Sequence, residues 1–131
     1  MTELALGADG RSATLTRVVT ANDTAATFGP DFPAAASTPF VLGLAEVACH
    51  SAVAARLNAG EITVGMRALI EHLMPSRVGT SLTARARLIR RTRNRLYFHV
   101  EVSDGDVIVA RVNHVRAVVD RARLQMRIEA G

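Results

Sequence analysis

Residues 38–57, TPFVLGLAEVACHSAVAARL, decide the fold. The first two suit a helix start. Thr38 can act as N-cap, accepting from a backbone N–H of the first turn, and Pro39 fits the first helical position, where a missing N–H would be unpaired anyway. Only Gly43 weakens the helical reading up to Leu57, and Asn58-Ala59-Gly60 supplies a stop. Apolar side chains recur on nearly every side of the cylinder, from Phe40, Val41 and Leu42 to Ala48, Cys49 and Val53. A helix apolar all round is wrapped by other structure, not laid on a surface.

What wraps it is legible on both sides. Residues 11–20 (RSATLTRVVT) alternate and end β-branched, which predicts a strand. Residues 21–37, rich in Ala, Pro, Asp and Gly, read as a loop with one short helical turn. After Gly60 the period is two. Residues 61–74 form a strand, and residues 75–79 turn it. Residues 80–90 place Leu82, Ala84, Ala86 and Leu88 on one face and Thr83, Arg85 and Arg87 on the other. Residues 91–95 make a polar turn, and residues 96–103 put Leu96, Phe98, Val100 and Val102 on one face. Asp104-Gly105 signals a tight hairpin into a long last strand over residues 106–120. A first hairpin centred near Arg93 sets Glu101 opposite Arg85. Residues 121–131 extend the last strand or form a short helix. The order strand, loop, long buried helix, four antiparallel strands is α+β, with one antiparallel sheet curled round one central helix: the hotdog fold. Such a sheet leaves edges open, and edge-to-edge homodimerisation is the usual remedy.

A chain of 131 residues is expected to form a single domain spanning residues 1–131. With 49% hydrophobic and 21% charged residues it is neither disordered nor fibrous, and an aromatic share of 4% with no Trp leaves the core to Val, Ala, Leu and Ile. The single Cys49 forms no intrachain disulfide, and the acidic N-terminus MTELALGADG lacks the basic region of a signal peptide. The longest apolar stretch, residues 39–55, is interrupted by Glu46 and His50 and falls short of the roughly 20 residues that span a bilayer. A cytoplasmic protein that enters no membrane is the expectation. All 16 basic residues are Arg, and the net charge is +4. Guanidinium groups suit phosphate, but the cluster of arginines over residues 85–95 has no interleaved aromatic ladder, so it reads as a solvated face and not a nucleic-acid platform.

Glu46 carries the most chemistry. A carboxylate in a nearly apolar helix costs several kcal/mol to bury unless it is paired or protonated. Glu46 therefore either points out between strands as a structural group or sits in a pocket as a base or nucleophile. Gly43, three residues earlier on the same face, leaves room for a ligand or for close helix–strand packing. Thr38 at the helix start is either a plain cap or a hydroxyl beside N–H groups that gather anions and oxyanions. His50, one turn after Glu46, reads as a core histidine, and His114 and Arg116 share a face of the last strand. No His or Cys spacing suggests a metal site, and H-E-x-x-H is absent.

These residues resemble the fluoroacetyl-CoA thioesterase-like branch of hotdog proteins over roughly residues 11–120. Ser37-Thr38-Pro39-Phe40-Val41-Leu42-Gly43-Leu44-Ala45-Glu46 is similar to that family's Thr-Gly-Phe-Met-Val-Gly-Leu-Met-Glu. Val64-Gly65, Glu71-His72 and Gly79 follow its Gly…His…Gly pattern, and Asn113-His114-Val115-Arg116-Ala117-Val118 resembles its His-Glu-Arg-Ala-Val. The resemblance implies a catalytic set Thr38, Glu46 and His72, with an acyl pocket formed partly by Gly65 and Arg116, at a dimer interface to which both subunits contribute. Pro39 stands where the family has Gly and removes one N–H from the helix start. The loop before Thr38 is shorter than the family's lid, with Phe28 and Phe32 as stand-ins for its aromatics. Fluoroacetyl selectivity is therefore not implied.

The resulting expectation is a homodimeric, or higher oligomeric, acyl-CoA thioesterase. It needs no cofactor, coenzyme A entering only as part of the substrate, and surface arginines meet the CoA phosphates. The competing expectation is a non-catalytic protein of the same fold that binds acyl-CoA or another small ligand. An RNA-binding module ranks behind both.

Overall fold

The structure, a computed structural model, describes residues 2–131. Six antiparallel strands form one sheet in the order β1-β2-β4-β5-β6-β3. They are β1 (Thr2–Leu6), β2 (Ser12–Val18), β3 (Glu61–His72), β4 (Ser81–Thr92), β5 (Arg95–Asp104) and β6 (Val107–Asp120). The central helix α1 (Thr38–Val53) lies between β2 and β3 in sequence and packs chiefly on β4 and β2, while α2 (Arg121–Ala130) ends the chain. This is the hotdog arrangement, a sheet wrapped round one helix.

Alternation places the core. Leu82, Ala84, Ala86 and Leu88 of β4 and Leu96, Phe98, Val100 and Val102 of β5 are all buried, as their period predicts. Opposite them, α1 buries Val41, Leu44, Ala45, Ala48, Cys49, Ala52 and Val53. Small residues on both sides let helix and sheet approach closely, which is how so few aromatics suffice. Counted with the 3-10 turn that follows it, the helical run Thr38–Arg56 has 19 residues, long and apolar enough to cross a membrane by length and composition alone. Length therefore does not exclude a span, contrary to the sequence-based expectation. In this fold one side of the helix, from Val41 to Val53, is buried, while Val47 stays 53% exposed, so the helix is not wrapped all round.

The elements differ from expectation at several points. The N-terminal lead is a sixth strand, β1, paired with β2 from Thr2↔Arg17 to Leu6↔Ala13, so two strands precede the helix. The loop holds two 3-10 turns, Ala21–Asp23 and Ala25–Phe28. The second hairpin's loop is Gly105-Asp106, since Asp104 pairs with Val107, and Gly105 takes the positive φ (57°) that the first loop position demands. Arg85 does face Glu101, but its guanidinium donates to Ser103 Oγ at 2.8 Å while Glu101 pairs with Arg111 at 3.6 Å. Asp120 caps α2 by accepting from Arg123 N–H, which turns the tail into a helix instead of more strand.

Candidate active site

The start of α1 sets the first group of polar side chains. Ser37, not Thr38, is the N-cap: its Oγ accepts from Phe40 N–H at 3.1 Å, leaving Thr38 and Pro39 as the first two helical residues. The Thr38 hydroxyl is thereby free for a tertiary contact, and it lies 2.9 Å from Nδ1 of His72, the last residue of β3. Nε2 of His72 is buried and has no hydrogen-bond partner among the described residues. In either tautomer that nitrogen is the open position of the ring, as donor or as acceptor. Both side chains line a cleft of about 360 Å³ bordered by Ala25, Pro33, Ser37 and Met74.

Glu46 stands two helical turns further, roughly 12 Å along the axis from Thr38. It is neither an orphan buried charge nor a free surface group. Arg116 Nη1 donates to Glu46 Oε2 at 3.1 Å, with the guanidinium side chain 9% exposed and the carboxylate side chain 40% exposed. Arg116 is itself held from three sides. Nε donates to Thr63 Oγ1 at 2.8 Å, Nη2 to the Thr63 carbonyl at 2.9 Å, and Nη1 lies 3.0 Å from His114 Nε2. His114 Nδ1 meets the Arg67 carbonyl at 2.8 Å, so the ring donates there and offers Nε2 as an acceptor to Arg116. Burial, first, and then the cation beside it hold His114 below the ordinary imidazole pKa despite the opposing pull of the Arg67 carbonyl, which fits a neutral ring. Thr63 Oγ1, which accepts from Arg116 Nε, also lies 2.6 Å from His50 Nδ1. His50 is also held below its usual pKa, by burial and then by Arg116 and Arg121.

Gly65 completes this second group. It pairs with Arg116 in the β3–β6 ladder just before an irregularity that skips Met66, and a Cβ built there would lie 2.5 Å from Glu46 Oε2. Only glycine admits the carboxylate. Gly43 differs: an added Cβ would meet nothing within 4 Å, so close helix–strand packing does not explain it. Phe28 and Phe32 meet edge to face at 6.4 Å and are 62% and 54% exposed; neither lines the Thr38–His72 cleft. Cys49 is no nucleophile, because burial pushes its thiol far up. No group of three or more His, Cys, Asp or Glu able to hold a metal ion occurs among the described residues.

The residues singled out in the sequence thus form two groups within one chain: Thr38 with His72, and Glu46 with Gly65 and Arg116. Thr63, His50 and His114 belong to the second group but do not stand out as site residues in the sequence. The usable signal was period two, since Thr63 shares a strand face with Gly65 and His114 with Arg116. The distant link, 53 residues from Thr63 to Arg116, has no local trace.

The model of the fluoroacetyl-CoA-specific thioesterase family matches residues 19–122. The fluoroacetyl-CoA thioesterase of Streptantibioticus cattleyicolor is 30% identical over 98 residues, spanning 75% of this chain and 70% of that protein. A solved structure of the fluoroacetyl-CoA thioesterase FlK is similar with a TM-score of 0.86 at 28% identity, covering 92% of this chain and 94% of the other. A hot-dog-like protein from Thermanaerovibrio acidaminovorans, at 22% identity and a TM-score of 0.82 over 91% of this chain and 88% of its own, supports the fold alone. With a family match across most of its length, the chain belongs to the fluoroacetyl-CoA-specific thioesterase family of hotdog proteins.

Proposed function

We propose that the protein hydrolyses acyl-CoA thioesters without a cofactor, using Glu46, Thr38 and His72. The observation that carries this reading is Glu46: a carboxylate aimed by a buried arginine, with a glycine opposite to make room. A buried cation that fixes one oxygen leaves the other free to work. Glu46 takes a proton from water as the water oxygen attacks the thioester carbonyl, or attacks that carbon itself to form an anhydride that water then opens. The C–S bond breaks, and the CoA thiolate leaves and is protonated. Thr38 steadies the carbonyl oxygen from the helix start, where Pro39 supplies no N–H, and His72 shares its proton with the Thr38 hydroxyl.

The two groups act together across a pair of chains. β3 is an edge strand, and its Gly65 lies against the Glu46 carboxylate. In the pair we propose, the Thr38–His72 cleft of one copy works with the Glu46 of the other. Gly65 and Arg116 shape the acyl end, and surface arginines meet the CoA phosphates. The direct test is thiol release from a panel of short acyl-CoA esters. Glu46→Gln is expected to lower kcat by at least a hundredfold, and wild-type turnover in that variant would sink the mechanism. Pro39 in place of the family's glycine favours a second reading, a binder that holds acyl-CoA without cleaving it. Calorimetry with saturable binding of a CoA ester and no thiol release by the wild type would select it.

A further inference from the structure

At the opposite end of α1 lies a cavity that the thioester site does not use. It has a volume of about 340 Å³, near the lower limit for small-molecule pockets, and an apolar floor of Val53, Leu57, Leu88 and Leu96. Its polar lining is wholly cationic: Arg11 from the turn before β2, Arg56 from the 3-10 turn after α1, and Arg91 near the end of β4. Val53 is fifteen residues from Thr38, roughly 22 Å along the helix axis. The cavity is therefore distinct from the Thr38–His72 cleft.

None of the three arginines makes an ion pair among the described residues. Each is instead tethered by a hydrogen bond to backbone carbonyls. Arg11 Nη2 donates to Leu88 and Ile89 at 3.3 and 3.4 Å, Arg56 Nη1 to Gly10 at 3.3 Å, and Arg91 Nε to Arg93 at 2.8 Å. Tethering orders the side chains while leaving further N–H donors on each guanidinium unused. The C-terminal end of α1 brings a partial negative charge of about half a unit and the Asp9 carboxylate lies near Arg11, and three whole positive charges outweigh both. The net field at the cavity favours an anion, and the floor favours hydrocarbon.

We propose that this cavity is a second binding site, for a small amphipathic carboxylate: an anionic head clamped by Arg11, Arg56 and Arg91, with a short alkyl chain on Val53, Leu57, Leu88 and Leu96. Guanidinium groups grip carboxylates through two parallel N–H donors, and an apolar floor adds what a bare anion cannot use. The test uses sodium octanoate, 1-octanol and sodium phosphate as separate probes of the whole chain, followed by methyl NMR and calorimetry. Octanoate is expected to bind saturably and to shift the Leu57, Leu88 and Leu96 methyls, with octanol and phosphate each at least tenfold weaker. The double variant Arg56→Gln/Arg91→Gln is expected to weaken octanoate at least tenfold. Arg56 and Arg91 are exposed, so the thermal midpoint is expected to stay put. The charge-reversed Arg56→Glu gives a second reading that does not depend on the double variant folding. Equal octanoate affinity in these variants overturns the proposal, as do phosphate binding as tightly as octanoate or methyl shifts confined to the Thr38–His72 cleft.

Discussion

An alanine at position 65 would bring its Cβ to 2.5 Å from Glu46 Oε2, a distance no side chain tolerates. Something has to move, and the half-exposed Glu46 yields more easily than the ladder that holds Gly65 against Arg116. Swinging the carboxylate into water strips Arg116 of one charged partner while its bonds to Thr63 and His114 remain. Gly65→Ala is therefore expected to cost about 1.5–3 kcal/mol, the worth of a charge-assisted hydrogen bond, and to lower turnover at least tenfold. Denaturant midpoints and thiol release read the two effects separately. Gly43 predicts the opposite sign. Its helix interior has free space, so Gly43→Ala is expected to stabilise by roughly 1 kcal/mol through helix propensity alone. If substrate uses that space, KM for a CoA ester rises although the fold has become more stable. An unchanged KM would remove Gly43 from the site.

Helix α1 and strands β3 and β6 are tied by a network in which burial and the Arg116 cation favour the neutral form of both histidines. His114 donates through Nδ1 to the Arg67 carbonyl and offers Nε2 to Arg116, so protonating that ring turns an acceptor into a donor facing another donor, while a protonated His50 would carry its charge partly buried near the same guanidinium. Both folded pKa values lie below the unfolded value of about 6.5. The unfolded chain then binds more protons as pH falls below that value, and stability falls with it until the folded rings also titrate. The thermal midpoint is expected to be level above pH 7 and to drop between pH 6.5 and 5, and His114→Gln is expected to flatten that drop; an equal slope in the variant counts against the network. How much of this could be read beforehand varies by element. Strands β4 and β5 were legible because Leu82 to Leu88 and Leu96 to Val102 alternate strictly between core and solvent. β1 was not, because all five of its residues are exposed and it owes its form to pairing with β2. At the helix start Ser37 and Thr38 are both accepted cap residues by type, Ser somewhat the better. What separates them is His72, 34 residues away from Thr38. Glu46 announced itself as a polar residue in an apolar helix, but its partner Arg116 lies 70 residues on and becomes visible only once the sheet closes.

At the scale of the whole molecule, the two edges of the sheet are unequal. β1 closes one side with 5 residues, whereas β3 presents 12 residues on the other, with neither Lys nor Pro to discourage pairing. On or next to β3 four large hydrophobics are exposed, Met66 at 52%, Leu69 at 66%, Leu73 at 46% and Met74 at 48%, with Val47 of α1 at 53%, against Leu4 and Leu6 on β1. One free chain would keep this surface in water beside Glu46. A second copy laid antiparallel along β3 would satisfy the edge, cover the apolar residues and narrow the space over the carboxylate. A specific interface of this kind is expected to bury above about 1,000 Å². Light scattering at 10 µM is therefore expected to give twice the chain mass of 14.0 kDa. Val47→Glu/Met66→Glu places charge on the same face without touching the buried core, so the variant is expected to keep its circular dichroism, scatter as a single chain and lose most thiol release. A wild type that scatters as a single chain at 50 µM and still turns over at full rate would show that the site is complete in one copy, and the shared-site reading would fall.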